Sequence, residues 1–258
     1  MLRGLYTSAM GMNVQMQTLD VISNNMSNAN TTGFRSSVAV HQSFPELLAK
    51  NLHAIPGHAA HSIYNVGRPS FGVTVSGVHT NFSQGTLQQT SGELDLALSG
   101  PGFFAVESVN AAGEPTQLFT RNGSFTLDAE NNLITLTGER VLDTSGNHIT
   151  LPEGNINILN NGEIQIDDET QATIRITNFE NENMLRSFGY NMFVALEGAE
   201  EIDFTGNVNQ GHLERSNVNI VQEMVRMVNV SRAYELNQRM VSIHDQTLGQ
   251  AVTEIARR

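Results

Sequence analysis

The chain of 258 residues is long enough for one or two domains with a real core. Its apolar fraction of 39%, with 12 Phe, 4 Tyr and no Trp, excludes both a disordered and a membrane-embedded composition. No apolar run approaches the ~18 residues of a bilayer span, and the absence of cysteine excludes disulfides, thiolate catalysis and Cys-based zinc sites. The net charge of −12 is uneven: residues 51–217 hold six basic and twenty acidic side chains, a net −14, while the two ends together hold +2. Such a middle repels phosphate, so nucleic acid is not expected as a partner.

At the N-terminus, Leu5, Ala9, Met12, Met16, Leu19, Ser23 and Met26 recur at alternating intervals of four and three, with Ile22 widening the stripe. This spacing predicts a helix. It should fail across residues 28–33, which are rich in turn formers and end in Gly33. The first 17 residues lack the continuous apolar block of a secretory signal, so none is expected. Residues 46–52 suit a short helix, and Pro, Gly, His and Ser between Pro56 and Gly72 suit an exposed connector.

From there the period falls to two. Val73 and Val75, Leu94, Leu96 and Leu98, Phe125 and Leu127, Ile156 and Ile158, Ile164 and Ile166, and Ile174 and Ile176 alternate as half-buried strands do. Asn122-Gly123 between two such runs predicts a hairpin, and Ser145-Gly146 and Asn161-Gly162 predict further turns. Short strands at this spacing predict an antiparallel sandwich or barrel.

The C-terminus returns to the longer period. Ile220, Met224, Met227, Ser231, Tyr234, Gln238, Val241, Asp245, Leu248, Val252 and Ile255 form a heptad seam broken by three polar residues. Asn219 and Gln222 form a capping-box pattern at its start. A helix over 219–256 would be about 57 Å long. Neither helix can bury its seam alone, and the simplest packing sets one against the other with the chain ends side by side.

The expected fold is therefore α+β: paired, coiled-coil-like N- and C-terminal helices enclosing an inserted all-β domain. Residues 1–33 and 212–258 are expected as a discontinuous helical assembly domain, 34–80 as an extended connector and 81–211 as the β domain.

Candidate chemistry is thin. His53, His58 and His61 lie close, but no carboxylate or cysteine stands between Glu46 and Glu93, so surface histidines are favoured over zinc. Gly100-Pro101-Gly102 leads into Phe103-Phe104-Ala105-Val106, a strand rather than a helix, and so offers no phosphate cradle. Asp167-Asp168-Glu169 lacks the spaced ligands of a calcium loop. No local nucleophile motif unites Ser, His and Asp. No catalytic residue, metal or cofactor is expected.

Three blocks carry a resemblance. Ser8-Ala9-Met10, the run from Leu19 to Asn30, and Thr31-Thr32-Gly33-Phe34 stand at the N-terminus. Phe82-Ser83-Gln84-Gly85-Thr86-Leu87, Leu94 to Leu98, Gly102-Phe103-Phe104 and Thr120-Arg121-Asn122-Gly123-Ser124-Phe125 follow. Ser216-Asn217-Val218-Asn219 and Arg232-Ala233-Tyr234-Glu235-Leu236-Asn237 stand at the far end. In this order, over essentially the whole chain, they resemble the bacterial flagellar rod and hook proteins, and the length is nearer a rod subunit of distal or proximal type than a hook protein. The segment 35–80 is closer to the rod-like pair of Gram-positive bacteria.

The resemblance implies a structural subunit of the flagellar basal body that self-associates in a helical axial tube and transmits torque from motor to hook. It also implies export, unfolded, through the flagellar type III apparatus, and neighbours among other rod and hook proteins. Leu5, Met12, Met16, Leu19, Met26, Ile220, Met224, Met227, Tyr234, Val241, Leu248, Val252 and Ile255 are the expected assembly contacts. Phe34 with Val38, and Phe44 with Leu48, fit the Phe-x-x-x-apolar pattern of an export signal. The competing classes are a hook protein, a secreted β-domain enzyme such as a cell-wall hydrolase, and an adhesin. The enzyme needs convergent carboxylates or a metal, and the adhesin an exposed aromatic patch.

Overall fold

The computed structural model describes residues 2–43, 49–53, 62–67, 72–109, 115–152, 154–167, 169–189 and 191–257. Two long helices flank an antiparallel β region, the α+β arrangement expected. The chain divides into two compact units. One comprises Met1–Asn24, Ser37–His79 and Val221–Arg258; the other comprises Asn25–Ser36 and Thr80–Ile220.

The first unit holds most of helix α1 (Leu2–Ser27) and of helix α2 (Ile220–Ala256). Helix α1 gives way to turns in which Ala29 N–H donates to Met26 and Thr31 N–H to Asn28, and Gly33 then takes a φ of 66°. Helix α2 begins directly after Asn219, as its capping pattern requires. Between the helices run β1 (Ser37–Ser43), β2 (Ala49–His53), β3 (Ser62–Gly67) and β4 (Val73–Thr80), with β1 paired to β4 and β2 to β3. The short helix expected over 46–52 is not found from Ala49 onward. There the backbone groups are satisfied by an antiparallel ladder with β3 instead.

Among its described residues the second unit holds sixteen short strands. They begin with β5 (Leu87–Gln89), β6 (Leu96–Ser99), β7 (Phe103–Val109), β8 (Pro115–Thr120) and β9 (Phe125–Leu127). Next come β10 (Leu133–Thr135), β11 (Arg140–Val141), β12 (Ile156–Ile158), β13 (Glu163–Ile166), β14 (Glu169–Thr173) and β15 (Ile176–Phe179). Last are β16 (Leu185–Ser187), β17 (Met192–Ala195), β18 (Glu201–Asp203), β19 (Asn207–Gln210) and β20 (His212–Glu214). The main sheet runs β16-β17-β8-β7-β11-β10-β9, with β15 also on β7 and carrying β18. A three-stranded sheet, β12-β13-β14, and the pairs β19-β6 and β20-β5 complete the unit.

The packing of residues 103–106, the first half of β7, explains why they form an unbroken apolar run rather than an alternation. Phe104 and Val106 enter one core cluster with Leu96, Leu118, Phe125 and Ile164, while Phe103 and Ala105 enter a second with Phe119, Phe179 and Phe193. Residues 103–106 are buried on both faces, so each of these four is apolar, whereas Glu107 and Ser108 beyond them are only half-buried. In the second cluster the rings of Phe119 and Phe179 meet edge-on at 4.9 Å, and Phe103 meets Phe193 at 5.8 Å, the arrangements that ring quadrupoles favour.

Asn161-Gly162 and Ser145-Gly146 are turns as expected, with Gly162 at φ 85° and Gly146 at φ 81°. Asn122-Gly123 is not the hairpin turn its dipeptide predicts, because β8 pairs with β7 and β17 while β9 pairs with β10. Gly123 lies instead against β6: its carbonyl accepts from Leu96 N–H at 2.9 Å, and a Cβ there would sit 1.7 Å from Leu96 O. The glycine is needed for close backbone approach rather than for a left-handed turn.

Candidate assembly site

The two helices pack antiparallel. A Cβ on Gly4 would lie 2.5 Å from the His244 ring and one on Gly11 3.1 Å from the Asn237 amide, so seven residues forward on α1 match seven backward on α2. Around Gly4 and Gly11, the inward rail of α1 continues through Ser8, Gln15, Thr18 and Ile22, all buried or half-buried. On α2 the inward positions are Glu223, Met227, Val230, Tyr234, Asn237, Val241, His244, Leu248 and Ala251, at strict intervals of four and three.

One rail of each expected seam thus faces inward and the other is displaced by one residue. Leu5, Met12, Leu19, Met26, Met227, Tyr234, Val241 and Leu248 are half-buried, whereas Met16, Ile220, Met224, Val252 and Ile255 are exposed. Gln238 and Asp245, expected as polar breaks in the seam, face solvent; Asn237 and His244 take that place. The physical reason is the small side chain at Gly4 and Gly11, which leaves room for a polar ring and an amide at the crossing.

Helix α2 therefore shows an unusual distribution. Among its described residues only Glu223 is buried, and the face roughly opposite the inward rail carries Val221, Val225, Val228, Leu236 and Ile243, exposed by 47–69%. A helix that carries five large exposed apolar side chains on the face away from its partner, beside Arg232 and Arg239, is not finished by that partner.

In the β unit, the residues of the three resembling blocks converge on a buried ionic cluster. Glu214 Oε1 accepts from Arg35 Nη1 at 2.7 Å and from Gly85 N–H at 2.7 Å, and Oε2 accepts from Arg121 Nη1 at 3.3 Å. All three side chains are at most 3% exposed. Arg121 Nη2 donates to Gly100 O at 2.6 Å, and its guanidinium lies 5.4 Å from the centroid of the Phe103 ring. Gly33 N–H donates to Glu214 O at 2.7 Å, and a Cβ on Gly33 would strike the Arg121 carbonyl carbon at 2.5 Å.

Burial pulls the Arg121 guanidinium down to about 10, against the attraction of Glu214 and with the help of Arg35. It remains charged at neutral pH. Two cations thus bond to one carboxylate, and Arg35 Nε, Arg35 Nη2 and Arg121 Nε have no hydrogen-bond partner among the described residues.

Around the cluster, Asn217 ties three chain segments together. Its Oδ1 accepts from Ser36 N–H at 2.7 Å, and its Nδ2 donates to Asn81 O at 2.8 Å and Ser83 O at 2.9 Å. Thr32 Oγ1 donates to Asn122 Oδ1 at 2.6 Å, and Asn191 Nδ2 to Thr32 O at 2.7 Å. The sequence singled out Gly33, Arg121 and Asn217 but not Glu214 or Arg35, whose pairing spans 179 positions.

The other candidates stay chemically quiet. Among the described residues no group of three or more His, Asp or Glu could hold a metal. His58, His61, Asp168, Phe44 and Leu48 lie outside the described residues. Phe34 is half-buried, and Val38, in β1, is 44% exposed. A cleft of about 510 Å³ is lined by Thr144, Asn161, Thr173, Arg175, Glu201 and Asp203, and its Arg175–Glu201 pair at 2.9 Å is a surface ion pair rather than an acid–base couple. No helix among the described residues is long and apolar enough to cross a membrane.

The described residues thus assemble two features, a long helix with exposed apolar side chains and a β unit stapled by a buried ionic cluster. Three family models match the chain: flagella basal body rod protein over residues 5–35, flagellar hook protein FlgE/F/G D1 domain over 97–174, and flagellar basal body rod FlgEFG protein C-terminal over 209–254. Each matched stretch contributes one member of the cluster: Arg35, Arg121 and Glu214. Among curated relatives, the flagellar basal-body rod protein FlgG of Borreliella burgdorferi is 33% identical, over 96% of this chain and 97% of its own. FlgG of Buchnera aphidicola subsp. Schizaphis graminum is 32% identical over 96% and 98%. The flagellar hook-basal body complex protein FlhP of Bacillus subtilis is 31% identical over 96% and 98%. The chain belongs to the flagellar basal-body rod protein family, and is a structural subunit of the rod in the bacterial flagellar basal body.

Proposed function

We propose that the subunit polymerises through its terminal helices into a helical axial tube that passes torque from motor to hook, without catalytic activity. The observation that carries this reading is α2, a helix of 37 residues whose only buried described residue is Glu223 and whose outward face is apolar. Isolated helices are marginal and draw their stability from packing. The exposed Met16, Ile220, Met224, Val252 and Ile255, together with Val221, Val225, Val228, Leu236 and Ile243, are the contacts to neighbouring copies and to other rod and hook proteins. The half-buried Leu5, Met12, Leu19, Met227, Tyr234, Val241 and Leu248 hold the pair within one chain. Part of the pair's order is then gained on assembly.

We assign export to the flagellar type III apparatus, with Phe34 and Val38, and Phe44 and Leu48, as the recognition pairs. Substituting both Phe residues should slow export of the chain; unchanged export would remove that assignment. For assembly, the test is mass spectrometry of purified hook–basal bodies alongside the culture medium. Wild type should give several to a few tens of copies per basal body. Val228→Asp should leave the chain folded and secreted but absent from the basal body, and normal incorporation of that variant would sink the reading.

A further inference from the structure

The segment 207–217 ties the β unit together. Strand β19 lies on β6, with Val208 opposite Leu98, and β20 lies on β5, with Glu214 opposite Leu87. Val208 N–H donates to Asn160 O, Gly211 N–H to Asp95 O and Arg215 N–H to Thr86 O, at 2.8–2.9 Å. The Gln210 amide accepts from Ile158 N–H at 3.1 Å and donates to Glu93 O at 2.8 Å and Ile156 O at 3.0 Å. The side-chain partners lie earlier in the chain, by 52 to 117 positions for Gln210 and by 93 to 179 for Glu214.

Without this strap the unit has no way to close. Arg35 and Arg121 would remain as two guanidiniums in the interior with no carboxylate bonded to them, and Arg35 Nε, Arg35 Nη2 and Arg121 Nε have no hydrogen-bond partner among the described residues even with Glu214 in place. An uncompensated buried charge is far costlier than a missing apolar contact. Edge strands β5 and β6 would also lose their ladders. We propose that Glu214 is a closing latch: the β unit folds only when the strap that carries it has docked, so a chain made only as far as residue 206 stays open.

Chains emerge N-terminus first during synthesis, so the strap is made after every strand it closes upon. Its biological use, keeping the subunit unfolded for passage through a narrow channel, rests on the export reading above. The physical claim does not, and the test is independent of export.

The experiment is hydrogen exchange, read by mass spectrometry, on the full chain. The strap amides of Val208, Gly211 and Arg215 should exchange through the same global opening, at the same free energy, as the core amides of Leu96 and Ala105. Strap amides that open while the core stays protected would overturn the latch. Glu214→Gln keeps the shape and removes the charge; it should accelerate exchange in strap and core alike by on the order of a hundredfold or more, or prevent folding. The triple variant R35M/R121M/E214L removes every charge of the cluster. It should return exchange to within about tenfold of wild type, since apolar replacements of buried ion clusters are tolerated. If Glu214→Gln exchanges like wild type, or the triple variant is no better than Glu214→Gln, the latch is wrong.

Discussion

The helical unit and the β unit solve the problem of burial in opposite ways. In the β unit Leu96, Ala97, Leu98, Phe103, Phe104, Ala105 and Val106 are all at most 1% exposed, and even its charged cluster is sealed. In the helical unit the apolar residues of α2 point both ways, and the inward crossing is made of glycine, an amide and an imidazole. The β unit is finished within one chain. The helical unit leaves apolar area open at a cost of roughly 25 cal/mol per Å², which only another surface can recover. A subunit that must be stable before assembly and adhesive during it gains from keeping those two tasks in separate regions.

Cutting into the finished core should give the largest effect. Phe104→Ala removes a ring packed edge-on to Phe125 at 5.1 Å in a fully buried site, and should cost about 3–5 kcal/mol in urea unfolding of the β unit. A cost below about 1 kcal/mol would show that this core is as loose as the helix pair, and the contrast would fail.

A smaller effect should follow from wedging the helix crossing. Gly11→Leu overpacks against Asn237, at about 1–3 kcal/mol, offset by about 1 kcal/mol of better helix propensity. Limited proteolysis should then cut the terminal helices sooner, while the β unit's unfolding midpoint stays within about 0.5 kcal/mol of wild type. A parallel loss in both units would show that they are not energetically separate.

These differences bear on what the sequence could reveal. Both helices were legible because a period of 3.5 repeats over many turns, and α2 begins within one residue of the expected start. The one-residue displacement of the inward rail was not legible, because it depends on which residues of the partner helix are small enough to be approached, here Gly4 and Gly11. The strands were legible by their period of two, but Asn122-Gly123 was misjudged. A dipeptide signals a tight turn locally, and the constraint on Gly123 comes from Leu96, far away in sequence. The Arg35–Arg121–Glu214 cluster was illegible for the same reason, since three isolated charges carry no periodicity. What could be read was that their neighbours Gly33, Asn122 and Asn217 form compact motifs, and these motifs turn out to be the cluster's walls.

The smallest effect should come from a loop cap at the surface of the β unit, between β9 and β10. Asp128 Oδ1 accepts from Glu130 N–H at 2.9 Å and Asn132 N–H at 2.7 Å, Oδ2 accepts from the Asn132 amide at 2.9 Å, and Asn131 sits at φ 63°. These bonds, led by the Asn132 side chain, favour the ionised form and hold the carboxyl below its ordinary value. A depressed carboxyl pKa contributes stability that is present above the unfolded-state value and is lost as pH falls through the folded one. Asp128→Asn keeps one acceptor and removes the charge. Its unfolding midpoint should lie slightly below wild type at neutral pH, and the gap should close as pH falls to about 2, below the ordinary Asp range. A gap of the same size at both pH values would show that the cap acts through shape rather than charge, unlike the buried Glu214.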